Sequence, residues 1–324
     1  RVQVRTFHRW CQDVARQHGL AITAEPGSEA FYAELPRVVA QALAEGRVPS
    51  GGCSAVLIDE AHDFDDDWLR TAARLVSPDT RSLLVLYDDA QSIYRQPRRK
   101  FSFASVGIEA RGRTSVLKVN YRNTAEVLKL ATATAGQLLR GGEPDGVGGG
   151  DSDIVQQTPL GAGRSGPAPE LLRGRTPREE AELVADRLAE ALADGVSPAD
   201  MGVLARRHDL LDPVEKALHL RGIRTQRLQR AGTWEPDSVK LTTLHASKGL
   251  EWPHVVLAGV NEGLLPFKLE DDDGENTDNI ALRLQEERRL MYVGITRAQR
   301  TLAVNWLRRR KKGRDMIAGV PSRF

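Results

Sequence analysis

Apolar positions along the chain follow two patterns that alternate. Short runs rich in branched residues, at Ala55 to Ile58, Leu83 to Leu86, Met201 to Ala205, Val255 to Ala258 and Leu302 to Val304, read as buried strands. Between them lie longer stretches with helical spacing: Pro177 to Ala193, with Leu183, Val184, Leu188 and Leu192 on one face, and Asp209 to Leu220. Strands alternating with helices of this length predict βαβ units and a mostly parallel sheet. The first residues, Arg1 to Val4, read as one more strand. Two stretches break the pattern. Gly141 to Gly174 is dense in Gly and Pro and reads as a loop or linker, and Leu269 to Asp278 carries Glu270, Asp271, Asp272, Asp273 and Glu275 and reads as a solvated acidic loop. No internal repeat is present.

Composition narrows this picture. With 324 residues and 40% hydrophobic content the chain can bury a core, in one large α/β domain or two. Lys and Arg number 46 against 44 Asp and Glu, a net charge of +2, so any nucleic-acid footprint must come from local placement. Two cysteines, Cys11 and Cys53, are too few for a disulfide framework or a cysteine zinc site, which fits a reducing compartment and makes the cytoplasm the expected location. No apolar run approaches the roughly 18 residues a membrane span needs, so no membrane partner is expected. The start lacks Met and the apolar core of a signal peptide, which suggests a piece of a longer polypeptide.

The chemistry concentrates at strand ends. The run Val56-Leu57-Ile58-Asp59-Glu60-Ala61-His62-Asp63 delivers two acids at the carboxyl end of a strand, the edge where open α/β sheets bind ligands. In that Walker B arrangement Asp59 holds Mg²⁺ and Glu60 orients or deprotonates the attacking water. The competing reading is a helix cap made by Asp59 or Asp63. The next strand ends the same way, in Tyr87-Asp88-Asp89-Ala90-Gln91-Ser92-Ile93-Tyr94-Arg95.

This second segment resembles motif III of the UvrD/Rep/PcrA-like superfamily 1 DNA helicases. The resemblance implies that Gln91 senses the γ-phosphate and Tyr94 stacks on bases. Where the family usually has Trp two residues later, this chain has Gln96, so Phe101 or Phe103 would have to supply that platform. Asn120-Tyr121-Arg122-Asn123-Thr124 resembles motif IV, with Tyr121 on adenine and Arg122 at the γ-phosphate. Residues 239–251, VKLTTLHASKGLE, resemble motif V, with Thr243 and His245 toward nucleic-acid phosphates and Glu251 toward the ribose. Residues 286–298, EERRLMYVGITRA, resemble motif VI, with Arg297 as the arginine finger, and Thr6-Phe7-His8 resembles the backbone-contacting motif Ib. Taken singly, each has a plainer alternative: Arg297 as a surface arginine at a helix end, Tyr121 as core, His245 as a satisfied loop histidine. Six matches in one fixed order, closed by Pro321-Ser322-Arg323-Phe324, weigh against those alternatives.

Physical chemistry agrees with the implied roles, since a planar, permanently charged guanidinium suits the charge that a phosphoryl-transfer transition state spreads over the γ-oxygens. The expected architecture is α/β, with two RecA-like parallel-sheet domains of the P-loop NTPase-like helicase kind. The first is incomplete over residues 1–113 and the second spans 114–324, with the loop at 141–174 marking a reduced or lost 2B insertion. ATP and Mg²⁺ are the expected cofactors, held in a cleft between the domains. About fifty residues separate His8 from Asp59 and about 120 separate Arg122 from Thr242, too few for the family's large accessory insertions. No Gly-x-x-x-x-Gly-Lys-Ser/Thr phosphate loop occurs in the chain, and the family places that loop ahead of motif Ib. The reading is therefore the motor part of an ATP-dependent DNA helicase or single-strand translocase of 3′ to 5′ polarity, expected to be inactive by itself. Its expected partners are single-stranded or tailed DNA and other repair, replication or transcription proteins, and it is expected to be a monomer. Two rivals stand beside it: an ATP-driven remodeller that strips proteins or RNA polymerase without unwinding, and a non-catalytic nucleic-acid-binding module. The basic run Arg308 to Lys312 could add phosphate contacts or be a solvated turn.

Overall fold

The computed structural model describes residues 2–88, 102–136, 160–161, 163–228, 233–267, 277–312 and 315–324. These fall into two compact units, one built from residues up to 88 and 102–115, the other from residue 116 onward.

In the first unit, helix α1 (Phe7–Gln17) starts where the Thr6 hydroxyl accepts the Arg9 amide at 3.3 Å. Helix α2 (Glu29–Ala44) starts likewise where Ser28 accepts the Phe31 amide at 3.1 Å. The two helices enclose Cys11, Leu35, Val39 and Ala42, all fully buried. Strands β1 (Ala55–Ile58) and β2 (Ser82–Val85) pair in parallel with Leu57 opposite Leu84, and helix α3 (Asp66–Ala73) lies between them in sequence. Ile58, Leu69, Ala72 and Val106 form the core beneath this pair. Phe103 is part of that core, 7% exposed and edge-on to Tyr87, so it is not a free base-stacking platform. Nor do the first residues form a strand. Val2 and Val4 are exposed in irregular backbone, because a strand needs a neighbour to satisfy its ladder and none pairs with them among the described residues.

The second unit begins with β3 (Val119–Asn120), α4 (Ala125–Ala135) and β4 (Leu160–Gly161), β3 and β4 forming a short parallel pair. There follow β5 (Glu170–Gly174), α5 (Pro177–Ala193), β6 (Met201–Ala205), α6 (Asp212–Leu220), β7 (Thr225–Arg227), β8 (Val239–Thr243), β9 (Trp252–Ala258), α7 (Thr277–Thr296) and β10 (Ala298–Leu307). Six of these strands make one sheet in the order β5-β10-β9-β6-β8-β7, every neighbouring pair parallel. The inner strands β6 and β8 are buried at every position, as parallel strands covered on both faces must be. One face packs Leu204, Leu244, Leu257 and Leu302 against α4 and α7; the other packs Val203, Leu241 and Val256 against α5 and α6.

Two expectations are corrected here. Glu170 to Gly174 is not loop but the edge strand of the sheet, its Leu171 and Leu172 paired with Val304 and Asn305. The basic run is not a turn: β11 (Arg309–Lys312) pairs antiparallel with β12 (Asp315–Ala318). The acidic run from Glu270 to Glu275 lies outside the described residues. Among the described residues no helix is long and apolar enough to cross a membrane.

Candidate functional site

At the carboxyl end of β1 the chain turns sharply. Glu60 takes a left-handed conformation, φ 52° and ψ 39°, a region a side chain with a Cβ enters only when the surroundings compel it. Asp59 accepts the Glu60 amide at 2.9 Å, and the exposed Asp59 carboxylate stands at the strand tip. His62 is buried to 1% exposure and holds this turn. Its Nδ1 accepts the Asp88 amide at 3.1 Å, which leaves Nε2 to donate to the Glu60 carboxylate at 2.9 Å. The His62 imidazole thus ties the ends of β1 and β2 together, a role the sequence did not reveal. A hard carboxylate oxygen suits magnesium, which usually takes one or two protein carboxylates and fills its other positions with water and phosphate oxygens. Gln91 and Tyr94 lie outside the described residues.

Thr6, Phe7 and His8 have structural duties in this unit. Thr6 caps α1, Phe7 lies between Trp10 at 5.8 Å and Trp68 at 5.1 Å, and His8 Nε2 lies 3.2 Å from the Tyr32 carbonyl. Phe7 and His8 are half-buried, while Thr6 is exposed.

In the second unit four of the singled-out residues come together at the amino-terminal end of the sheet. Glu251 precedes β9 and Arg297 precedes β10, and these strands are neighbours. Arg122 forms an ion pair with Glu251, whose other oxygen accepts from Gln299 at 2.8 Å. Tyr121 is 72% exposed, which rules out the core alternative for it. Arg297 is only 2% exposed, which removes the surface-arginine alternative. Its guanidinium donates to the carbonyls of Val293 and Leu250, each at 3.0 Å, and to the Thr296 hydroxyl at 3.2 Å. The loop carrying Tyr121 and Arg122 is held from below: Arg164 donates to both of their carbonyls, at 2.9 and 3.1 Å. Asn123, 1% exposed, donates to the carbonyls of Thr296 and Ala298 at 3.0 and 2.6 Å, one on each side of Arg297. Sequence reasoning missed Asn120, Asn123, Arg164 and Gln299. Asn120 and Asn123 stand inside the motif IV stretch, beside Tyr121 and Arg122, and could have been suspected there; Arg164 gave no such signal.

Thr243 and His245 lie elsewhere, at the carboxyl end of β8 and so at the opposite end of the same sheet. Thr243 is 8% exposed and its hydroxyl accepts the Ala246 amide at 3.3 Å. The pKa of His245 is pushed down to about 4 by burial and then by the nearby Arg206, so at neutral pH it is an uncharged hydrogen-bonding group. Arg206 forks onto Glu287, with contacts between 2.7 and 3.1 Å, and lies with Arg207 over the Phe267 ring. The segment from Leu244 to Glu251 runs from this end of the sheet to the other, passing β6.

A parallel sheet covered on both faces, with cations and an exposed aromatic ring gathered at one end, places the second unit in the mixed α/β class. The family follows from its sequence. Residues 225–309 match the UvrD-like helicase C-terminal domain, and the chain carries a UvrD-like superfamily 1 helicase C-terminal region. It is 48% identical over 90 residues to the ATP-dependent DNA helicase Rep of Salmonella typhimurium strain LT2, a match covering 28% of this chain and 12% of that protein. DNA helicase II of Escherichia coli K12 is 42% identical over 95 residues, 29% of this chain and 12% of that protein. ATP-dependent DNA helicase UvrD2 of Mycobacterium tuberculosis H37Rv is 41% identical over 111 residues, 33% and 15%. The matches thus span less than a sixth of these relatives' lengths. A solved C-terminal domain of a possible DNA helicase from Lactobacillus plantarum WCFS1 aligns with 58% of this chain and 88% of that one, at 16% identity and a TM-score of 0.39.

Proposed function

We propose that this chain is the ATP-handling motor part of a DNA helicase or single-strand translocase of 3′ to 5′ polarity, with residues 1–113 and 114–324 as its two RecA-like domains. The observation that carries the proposal is the group at the amino-terminal end of the six-stranded sheet, where Tyr121, Arg122, Glu251 and Arg297 meet although about 175 residues separate the first from the last. An exposed aromatic ring beside a guanidinium and a carboxylate offers one partner each for a base, a phosphate and a ribose. To serve a phosphate, Arg297 would exchange a carbonyl partner, Val293 or Leu250, for a phosphate oxygen. A charged phosphate oxygen is the stronger acceptor, which favours that exchange. Asp59 would hold the magnesium ion, which neutralises phosphate charge when bound, and Glu60 would orient the attacking water. The end of the sheet carrying Thr243 and His245 would meet the DNA backbone, with His245 as an uncharged hydrogen-bond partner. The names of the relatives, all ATP-dependent or DNA helicases over the matched stretches, support this reading.

The test uses a polypeptide that joins this chain to a phosphate loop. Replacing Arg122 with Ala lowers DNA-stimulated ATP turnover by about a thousandfold or more, the range that arginines at transferring phosphates contribute. Turnover at the unsubstituted level would overturn the assignment. Strand displacement from duplexes with 3′ or 5′ tails then reads polarity. ATP turnover that displaces bound protein but no strand would identify a remodeller instead.

A further inference from the structure

The backbones of Arg122 and Arg297 are joined by an unbroken path of side-chain amides. The Arg122 amide donates to Asn120 Oδ1 at 2.9 Å, as does the Asn123 amide at 2.9 Å. Asn120 Nδ2 donates to Asn123 Oδ1 at 2.9 Å. Asn123 Nδ2 spends both hydrogens on the carbonyls of Thr296 and Ala298, which flank Arg297. The amide orientation of Asn123 is settled by this arrangement, since an oxygen in the place of Nδ2 would face two carbonyl oxygens. The path closes on itself: the Trp252 amide donates to the Arg297 carbonyl at 2.9 Å, Arg297 donates to Leu250, and Glu251 between them pairs with Arg122. A neutral amide pair adds no charge to the cluster. It sets how far apart the two guanidinium-bearing backbones stand.

We propose that Asn120 and Asn123 are positioning residues of the triphosphate site, which fix the spacing of Arg122 and Arg297 so that both can serve one phosphate group. This rests on the proposed ATP chemistry. It predicts a loss in turnover that exceeds any loss in nucleotide affinity, because misplacement of cations is felt most where charge develops.

The experiment again uses the polypeptide carrying a phosphate loop. Asn120→Asp still accepts the two turn amides but sets a carboxylate oxygen against Asn123 Oδ1 in place of the donor and adds one negative charge near Arg122. Asn123→Ala removes the link outright. Both should lower DNA-stimulated kcat at least tenfold with KM for ATP within about twofold, and thermal melting should show Asn120→Asp as folded as the parent. Arg297→Lys is then combined with Asn120→Asp. If the asparagines act through the arginines, the double variant is little worse than Arg297→Lys alone. If they are scaffolding only, the two losses multiply, and the proposal falls. It falls too if Asn120→Asp and Asn123→Ala both turn over ATP like the parent. The underlying ATP reading is checked separately by Arg297→Ala: parental turnover in that variant sinks the reading itself, whereas loss there with parental turnover in the asparagine variants sinks only the positioning role.

Discussion

At the level of single residues, burial places charged side chains where local pattern gives no sign of it. Lys240 sits in the inner strand β8 with no exposure, its ammonium donating to Ser238 at 2.9 Å and to the Glu235 carbonyl and lying 4.5 Å from the Trp234 ring. A lysine in the mixed run Val239 to Thr243 gives no warning of this, because its partners come from a turn whose geometry local pattern does not specify. Glu180 is a second case. It lies near the start of α5 at 7% exposure, accepts the Gly259 amide at 2.9 Å, and has its pKa pushed up to about 7 by desolvation, the amide hydrogen bond opposing this. A carboxyl whose pKa is raised by folding keeps a proton in the native state that the unfolded chain has released. Stability is therefore greatest below about pH 4.5 with respect to this group, falls as pH rises from there to about 7, and is level beyond. Glu180→Gln should remove that slope: equal to the parent near pH 4.5, and more stable by a few kcal/mol at pH 8 in urea melts followed by circular dichroism. A parallel pH dependence of both proteins would show that Glu180 is not the source.

At the level of elements, most of the second unit's framework was legible. The apolar runs at Met201, Val255 and Leu302 and the helix at Pro177 all stand where the pattern put them. What failed did so for physical reasons. Glu170 to Gly174 was read as linker because glycines and prolines crowd the segment around it, yet only a short apolar pair is needed for an edge strand that already has β10 to pair with. Val2 to Val4 alternate like a strand but pair with no strand among the described residues. The close approach of strands β6 and β9 was also hidden: a Cβ on Gly202 would stand 2.8 Å from the Trp252 indole, which is 1% exposed and cannot swing away. Gly202→Ala should therefore cost about 1–3 kcal/mol as overpacking, read as a lower denaturant midpoint with an unchanged slope. A midpoint at or above the parent's would mean that the ring has room to shift.

At the level of the whole molecule, the family resemblance was legible from motif order. The grouping of Arg122, Glu251 and Arg297 was anticipated only as shared chemistry. Local pattern marks which residues matter but not which carbonyls hold them, so neither the burial of Arg297 nor the contacts of Asn123 are legible in the sequence. The sequence holds a Walker B-like strand end but no phosphate loop, whose amides and lysine would cradle the β- and γ-phosphates. The 324-residue chain by itself should thus release phosphate from ATP no faster than background, with or without single-stranded DNA, against the roughly 10 per second of a typical enzyme. Ordinary turnover by this chain would mean that another segment does the cradle's work.

The run from Leu244 to Glu251 has a mechanical meaning. Leu244 is pinned, its amide donating to Ala205 at 2.8 Å and its side chain seated where Gly294 of α7 leaves room, and Glu251 is pinned by Arg122 and Gln299. This short strap is therefore the covalent link between the end of the sheet that carries Thr243 and His245 and the end that carries Arg122 and Arg297. If molecules bound at the two ends influence each other through it, thermodynamic reciprocity requires the effect to be equal in both directions.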